Sequence, residues 1–149
     1  MKKIILFAAL LTSIVATAAT SPYEVNEKVL KAFNQTFATA KDVVWNEYDH
    51  IYQANFKQDD IQIRAQYDAE GTLIQTIRYY GERQLLPNIV SRLKKKYSGR
   101  EIFGVTETSS DNEVTFLVTL KDEKNWYVVK SDVYGNLEQT DKFKRADNY

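Results

Sequence analysis

Asp68-Ala69-Glu70-Gly71-Thr72-Leu73-Ile74-Gln75-Thr76 and Asp132-Val133-Tyr134-Gly135-Asn136-Leu137-Glu138-Gln139-Thr140 lie 64 residues apart and share Asp, Gly, Leu, Gln and Thr at matching places. Asp-x-x-Gly reads as a strand reversal, with glycine supplying the positive φ that closes the turn. The same offset pairs Val25 with Ile89, Val29 with Leu93 and Phe33 with Tyr97, apolar residues at helical spacing. It also pairs Tyr52, Ala54 and Phe56 with Phe116, Val118 and Leu120, which alternate as the buried side of a strand does. Helix, strand and turn agreeing at one offset predict a duplicated unit. Each unit reads as one helix followed by about four antiparallel strands, over about 21–81 and 86–144. The predicted fold class is α+β.

Ser21-Pro22-Tyr23-Glu24 reads as a helix start, with Ser21 as N-cap, Pro22 at the first position and Glu24 completing a capping box. That helix is expected to run to about Phe37. From Val43 the period becomes two, and Ile61, Ile63, Ala65 and Tyr67 alternate with Gln62, Arg64 and Gln66. A strand from Thr72 to Tyr80 and a link from Gly81 to Leu86 lead to Pro87, which opens a second helix, and four more strands follow. A half of this size holds a marginal core by itself, so the halves are expected to share one. The economical arrangement is one antiparallel sheet, with both helices on one face and the other face left open.

Lys2 and Lys3 precede an apolar run, and Ala16-Thr17-Ala18-Ala19 supplies small residues, so residues 1–18 read as a signal peptide and 19–149 as a single domain. The apolar run is interrupted by Thr12, Ser13 and Thr17 and is too short to span a bilayer. A soluble product in the periplasm or the medium is expected. The chain is formally neutral, and removing residues 1–18 takes away two lysines and no acid. That balance argues against nucleic acid, which calls for concentrated positive charge. There is no cysteine, so neither a disulfide framework nor a lipid-attachment cysteine is available.

Several residues carry a wider resemblance: Phe37-x7-Trp45, the strand Tyr52-Gln53-Ala54-Asn55-Phe56, the turns Tyr67-Asp68-Ala69-Glu70-Gly71 and Asp132-Val133-Tyr134-Gly135, and Leu86-Pro87. The chain resembles the PepSY-like, beta-lactamase-inhibitor-like family of small exported bacterial proteins, from about Val25 to Phe143. The resemblance implies a tandem α+β repeat whose exposed, somewhat concave sheet surface is a binding platform. The inhibitor that gives the family its name holds its repeats with disulfides, which are impossible here, so the resemblance implies the architecture and leaves the target open.

No catalytic set is apparent. His50 is the single histidine and sits in the expected turn Tyr48-Asp49-His50-Ile51, without a nucleophile elbow. Asp59-Asp60, Asp111-Asn112-Glu113 and Asp122-Glu123 lack the spacing of a calcium loop and read as strand reversals. No metal and no cofactor are expected. Arg92, Lys94, Lys95, Lys96 and Arg100 read as the solvent face and C-terminal dipole partners of an amphipathic helix.

Ten tyrosines and two tryptophans carry the most functional weight, because these residues dominate binding hot spots. If Phe116, Val118 and Leu120 face the helices, Leu117 faces away. The offset pairs Ile63 and Ala65 with Tyr127 and Val129, which puts Trp126, Val128 and Lys130 outside with Gln62, Arg64 and Gln66. Those seven residues are the expected partner-binding set, with Leu117, Trp126 and Val128 as an exposed apolar patch. The sequence therefore reads as an exported, non-enzymatic protein that binds a protein partner. The alternative is a carrier of a small apolar ligand in a pocket between helices and sheet.

Overall fold

The computed structural model describes residues 24–146. It contains two helices, α1 (Glu27–Thr36) and α2 (Pro87–Lys96), and a short 3-10 turn at Glu82–Gln84. The strands are β1 (Lys41–Tyr48), β2 (Ile51–Gln58), β3 (Ile61–Tyr67), β4 (Leu73–Tyr80), β5 (Glu101–Ser110), β6 (Glu113–Lys121), β7 (Asn125–Asp132) and β8 (Leu137–Lys144). All eight form one antiparallel sheet in chain order, from edge strand β1 to edge strand β8. The fold is α+β with an open sheet.

Short turns make this order possible. Asp49-His50, Asp59-Asp60 and Asp111-Asn112 each close a hairpin with positive φ at both positions, the geometry whose twist matches that of paired strands. The turns between β3 and β4 and between β7 and β8 use another device. Asp68 Oδ1 accepts from the N–H of Glu70 and Thr72 (3.0 and 2.7 Å), and Asp132 Oδ1 accepts from those of Tyr134 and Asn136 (2.9 and 3.0 Å). These bonds hold both carboxyls below the usual aspartate range, chiefly through the backbone of Thr72 for Asp68 and of Asn136 for Asp132.

The first helix begins later than its sequence signal suggests. Ser21 and Pro22, like residues 1–18, lie outside the described residues, but Glu24 precedes α1 instead of forming part of its first turn. Asn26 is the N-cap, its Oδ1 accepting from the N–H of Lys28 at 2.9 Å. Asparagine caps as well as serine does, and this one adjoins the first helical residue. In α2, Pro87 occupies the first turn.

Cross-strand register shows where the apolar residues point. Phe56, Ile63, Arg78, Glu107, Phe116 and Ser131 succeed one another across β2 to β7, one per strand, and so share a face. At one end of this row, Val29 and Phe33 of α1 pack with Ala54, Phe56, Ile63, Ala65 and Tyr67. Towards the other, Ile89 and Leu93 of α2 pack with Phe116, Val118, Leu120, Tyr127 and Val129. Both helices therefore cover the same side of the sheet. Each large apolar side chain buried here contributes about 1.5–3 kcal/mol, which lets a cysteine-free chain hold together.

Between the two cores the row turns polar. Arg78 Nη1 lies 3.0 Å from Glu107 Oε1, and the Tyr80 hydroxyl donates to Glu107. Burial, then the Glu107 carboxylate, raise the Tyr80 hydroxyl well above its ordinary value.

Candidate functional site

The face turned away from the helices is built by the alternate residues of the same strands. Gln62, Tyr79, Thr106, Leu117 and Lys130 form one row across β3 to β7. Arg64, Ile77, Thr108, Thr115 and Asp132 form the next. Strand alternation adds Gln66, Trp126 and Val128 to this side, so all seven residues singled out in the sequence share it. They do not form one cluster. β3 and β7 are four ladder steps apart, about 19 Å, so Gln62, Arg64 and Gln66 form one group and Leu117, Trp126, Val128 and Lys130 another.

The β3 group belongs to a polar ladder that satisfies itself. Arg64 Nε donates to Asn55 Oδ1 at 3.2 Å, and Gln66 Nε2 donates to Gln53 Oε1 at 3.0 Å. The middle of the face is uncharged, with Ile77, Tyr79, Thr106, Thr108, Thr115, Leu117 and Thr119.

The β7 group differs from the patch the sequence suggested. Trp126 and Val128 are half-buried rather than exposed, because Phe143 of β8 stands opposite Trp126 and Asp141 opposite Val128. The Phe103 ring meets Trp126 edge-on at 4.8 Å between centroids, and the Arg145 guanidinium lies 5.5 Å from the indole. The ammonium of Lys121 lies 4.8 Å from the Phe103 ring and 3.2 Å from Glu101. Phe103 and Phe143 are the exposed members, at 57% and 55%. The result is a three-ring platform flanked by two cations, with Leu117 and Val128 extending it inward.

Phe103 reaches this face through a register shift. The pairing of β5 with β6 slips between Ile102 and Gly104, so Ile102 and Val105 are both buried although three residues apart. Gly104 was the signal for such a bulge. Phe143 lies in a strand of mostly polar residues, whose alternation is faint.

Below the platform the strand ends are tied together. Tyr127 Oη donates to Asp122 Oδ2 at 2.7 Å, Arg100 Nη2 lies 3.3 Å from Tyr127 Oη, and Arg145 Nη1 donates to the Asp122 carbonyl at 2.9 Å. The Tyr127 hydroxyl, then the Lys124 backbone, lower the Asp122 carboxyl to about 2.

Arg92, Lys94, Lys95 and Lys96 are exposed on α2, as the sequence implied, and two of them also reach the neighbouring turn. Arg92 packs over Gly135, Lys96 Nζ donates to the Leu137 carbonyl at 3.1 Å, and Asn88 Nδ2 donates to that of Val133 at 2.9 Å. These residues recur every fourth position and fasten α2 to the β7–β8 turn. Lys94 pairs with Glu82, and Lys95 is exposed on the solvent side. His50 lies in the β1–β2 turn and the acidic pairs in other turns. Among the described residues, no group of three acidic or histidine side chains is placed to hold a metal, and no helix is long and apolar enough to cross a membrane.

No family model and no curated protein matches the chain. Solved structures do. A BLIP-like protein from Bacteroides fragilis is 17% identical with a TM-score of 0.63, over 82% of this chain and 89% of that one. A DUF2874 family protein from Bacteroides ovatus is 17% identical with a TM-score of 0.61, over 83% and 89%. A candidate periplasmic protein from Bacteroides eggerthii is 12% identical with a TM-score of 0.61, over 81% and 89%. At these identities the likeness establishes the fold, and it agrees with the resemblance read from the sequence. None of the three descriptions names an enzymatic activity.

Proposed function

We propose that this chain is an exported, non-enzymatic binding protein that engages a protein partner through the helix-free face of its sheet. In this reading residues 1–18 direct export to the periplasm or the medium, and 19–149 are a single domain made of two repeats. The repeat is supported by Val29 and Leu93, 64 positions apart and both fully buried, and by the paired hydrogen bonds of Asp68 and Asp132. Export is supported by the charged, apolar and small-residue succession at the N-terminus and by the candidate periplasmic neighbour.

The observation that carries the proposal is the Phe103, Trp126 and Phe143 platform on a face no helix covers. Aromatic rings held rigidly beside cations give large contact area at low entropic cost, as binding hot spots do. Leu117 and Val128 continue the platform towards Lys130, while Gln62, Arg64 and Gln66 offer a second, polar contact region about 19 Å away on the same face. The BLIP-like description of one neighbour is in keeping with a protein partner. A carrier of an apolar ligand would need space between helix and sheet, where Phe33, Phe56, Tyr67, Leu93, Phe116 and Leu120 already lie.

Affinity capture from native envelope and culture fluid tests the proposal. A partner held by the wild type is expected to be lost with Trp126→Ala and weakened with Arg64→Ala, and retained with Lys95→Ala on the opposite face. A partner that survives both outer-face changes removes this surface.

A further inference from the structure

The sheet has two edges, and they differ. β8 carries Glu138, Asp141, Lys142 and Lys144 and is exposed along most of its length, which is how proteins discourage strand-to-strand association. β1 pairs with β2 alone, and its Val44-Trp45-Asn46 stretch is uncharged. Its most exposed apolar residues are Val44 at 60% and Tyr48 at 63%, both on the helix-free face with Asn46. A bulge at Asp42 and Val43 takes the start of the strand out of line, and the Asp49-His50 turn ends it. The straight edge is therefore Val44–Tyr48, and Asn46 is its midpoint.

We propose that β1 is a self-association edge, on which two copies pair antiparallel about a two-fold axis through Asn46 to make one continuous sheet. Three features of the strand select this occupant and register. The axis sets Val44 of each copy opposite Tyr48 of the other, an aliphatic–aromatic cross-strand pair made twice. It sets the two Asn46 amides face to face, where each can donate to the other. It also keeps the two Glu47 carboxylates from standing opposite one another, as an axis through Glu47 would require. The two-fold leaves both pairs of helices on the same side, and a chain left with two more acids than bases once Lys2 and Lys3 are removed repels its own copy only weakly.

The register makes a geometric demand. Counting back from the Asp49-His50 turn, whose closing pair Tyr48–Ile51 is hydrogen bonded, the Asn46–Gln53 pair is hydrogen bonded too, so the Asn46 backbone points towards β2. The two Asn46 residues then meet as a non-hydrogen-bonded pair, with Cα atoms about 4.5 Å apart, within the span a disulfide bridges. The two Val44 residues are more than about 13 Å apart. Since the protein has no cysteine, one introduced thiol reports the register without competition.

Sedimentation equilibrium of the purified protein is expected to show a monomer–dimer equilibrium. Val44→Lys, on an exposed site that leaves the circular dichroism unchanged, should raise the dimer Kd roughly tenfold or more, because it alters both copies of the pair. Under mild oxidation Asn46→Cys should yield a disulfide-linked dimer and Val44→Cys should not. A wild type that stays monomeric up to the highest soluble concentration would overturn the proposal. So would cross-linking through Val44→Cys in place of Asn46→Cys, or a dimer broken by Phe143→Lys on β8 but not by Val44→Lys.

Discussion

Gly71 is pressed so closely on Lys28 that a β-carbon placed there would lie 2.8 Å from the Lys28 carbonyl oxygen. The β3–β4 turn thus packs against the backbone of α1. At the β7–β8 turn, Gly135 meets the Arg92 side chain, with Cδ at 2.8 Å, which can swing aside. Both glycines have positive φ, 85° and 80°. Gly71→Ala is expected to cost about 3 kcal/mol, backbone strain plus a collision that cannot relax, and Gly135→Ala about 1–2 kcal/mol, mainly strain. Urea denaturation checks the order, and equal losses would contradict the close approach to α1.

Tyr67 offers a change in the opposite direction. Its hydroxyl is buried without a hydrogen-bond partner, and the neighbouring Thr36 hydroxyl gives its proton to the Ala32 carbonyl at 3.0 Å. Tyr67→Phe removes an unsatisfied polar group and keeps the ring, so it should raise the unfolding free energy by up to about 1 kcal/mol. Burial also pushes the Tyr67 hydroxyl up to about 12. A raised value means the neutral form is favoured by folding. The wild type should therefore lose stability as pH rises from about 10 towards 12, and denaturation midpoints across that range should fall less steeply in Tyr67→Phe.

Acid should act through the turn aspartates. Asp68, Asp122 and Asp132 are all held below the ordinary carboxyl value, Asp122 to about 2. A depressed value means that the ionised form is favoured by folding. Its contribution is present above about pH 4 and is lost as pH falls towards 2. Asp122→Asn, less stable at pH 7, should show a smaller further loss between pH 4 and 2 than the wild type. Parallel pH profiles would refute the assignment.

His50 reports on the hairpins. It has φ 63° in a turn closed without glycine, a conformation that is costly for a residue with a β-carbon. His50→Gly should stabilise the protein by about 0.5–1 kcal/mol, checked by its thermal midpoint, and leave partner capture unchanged.

Much of this architecture was legible because periodicity reports burial. The spacing of Val29 and Phe33, the alternation of Phe116, Val118 and Leu120, and the Asp-x-x-Gly turns each identify an element and the side it hides. The helix start was misread because Ser-Pro-x-Glu is a stronger local signal than the lone Asn26 that caps α1. The outer face was legible as a list of residues but not as a surface. The bulge at Gly104 turns Phe103 onto it, and pairing with β8 half-covers Trp126, neither of which alternation alone encodes. The Arg78–Glu107 pair joins residues 29 positions apart, a partnership that needed the β4–β5 register.

The strict succession of strands from β1 to β8 has a consequence for assembly. Every ladder except β4–β5, which must wait for α2, joins strands made in immediate succession, a topology associated with rapid folding. A polypeptide emerging from its N-terminus can complete α1 and β1 to β4 before the rest appears. The β4 margin then becomes the template on which the later half is laid down.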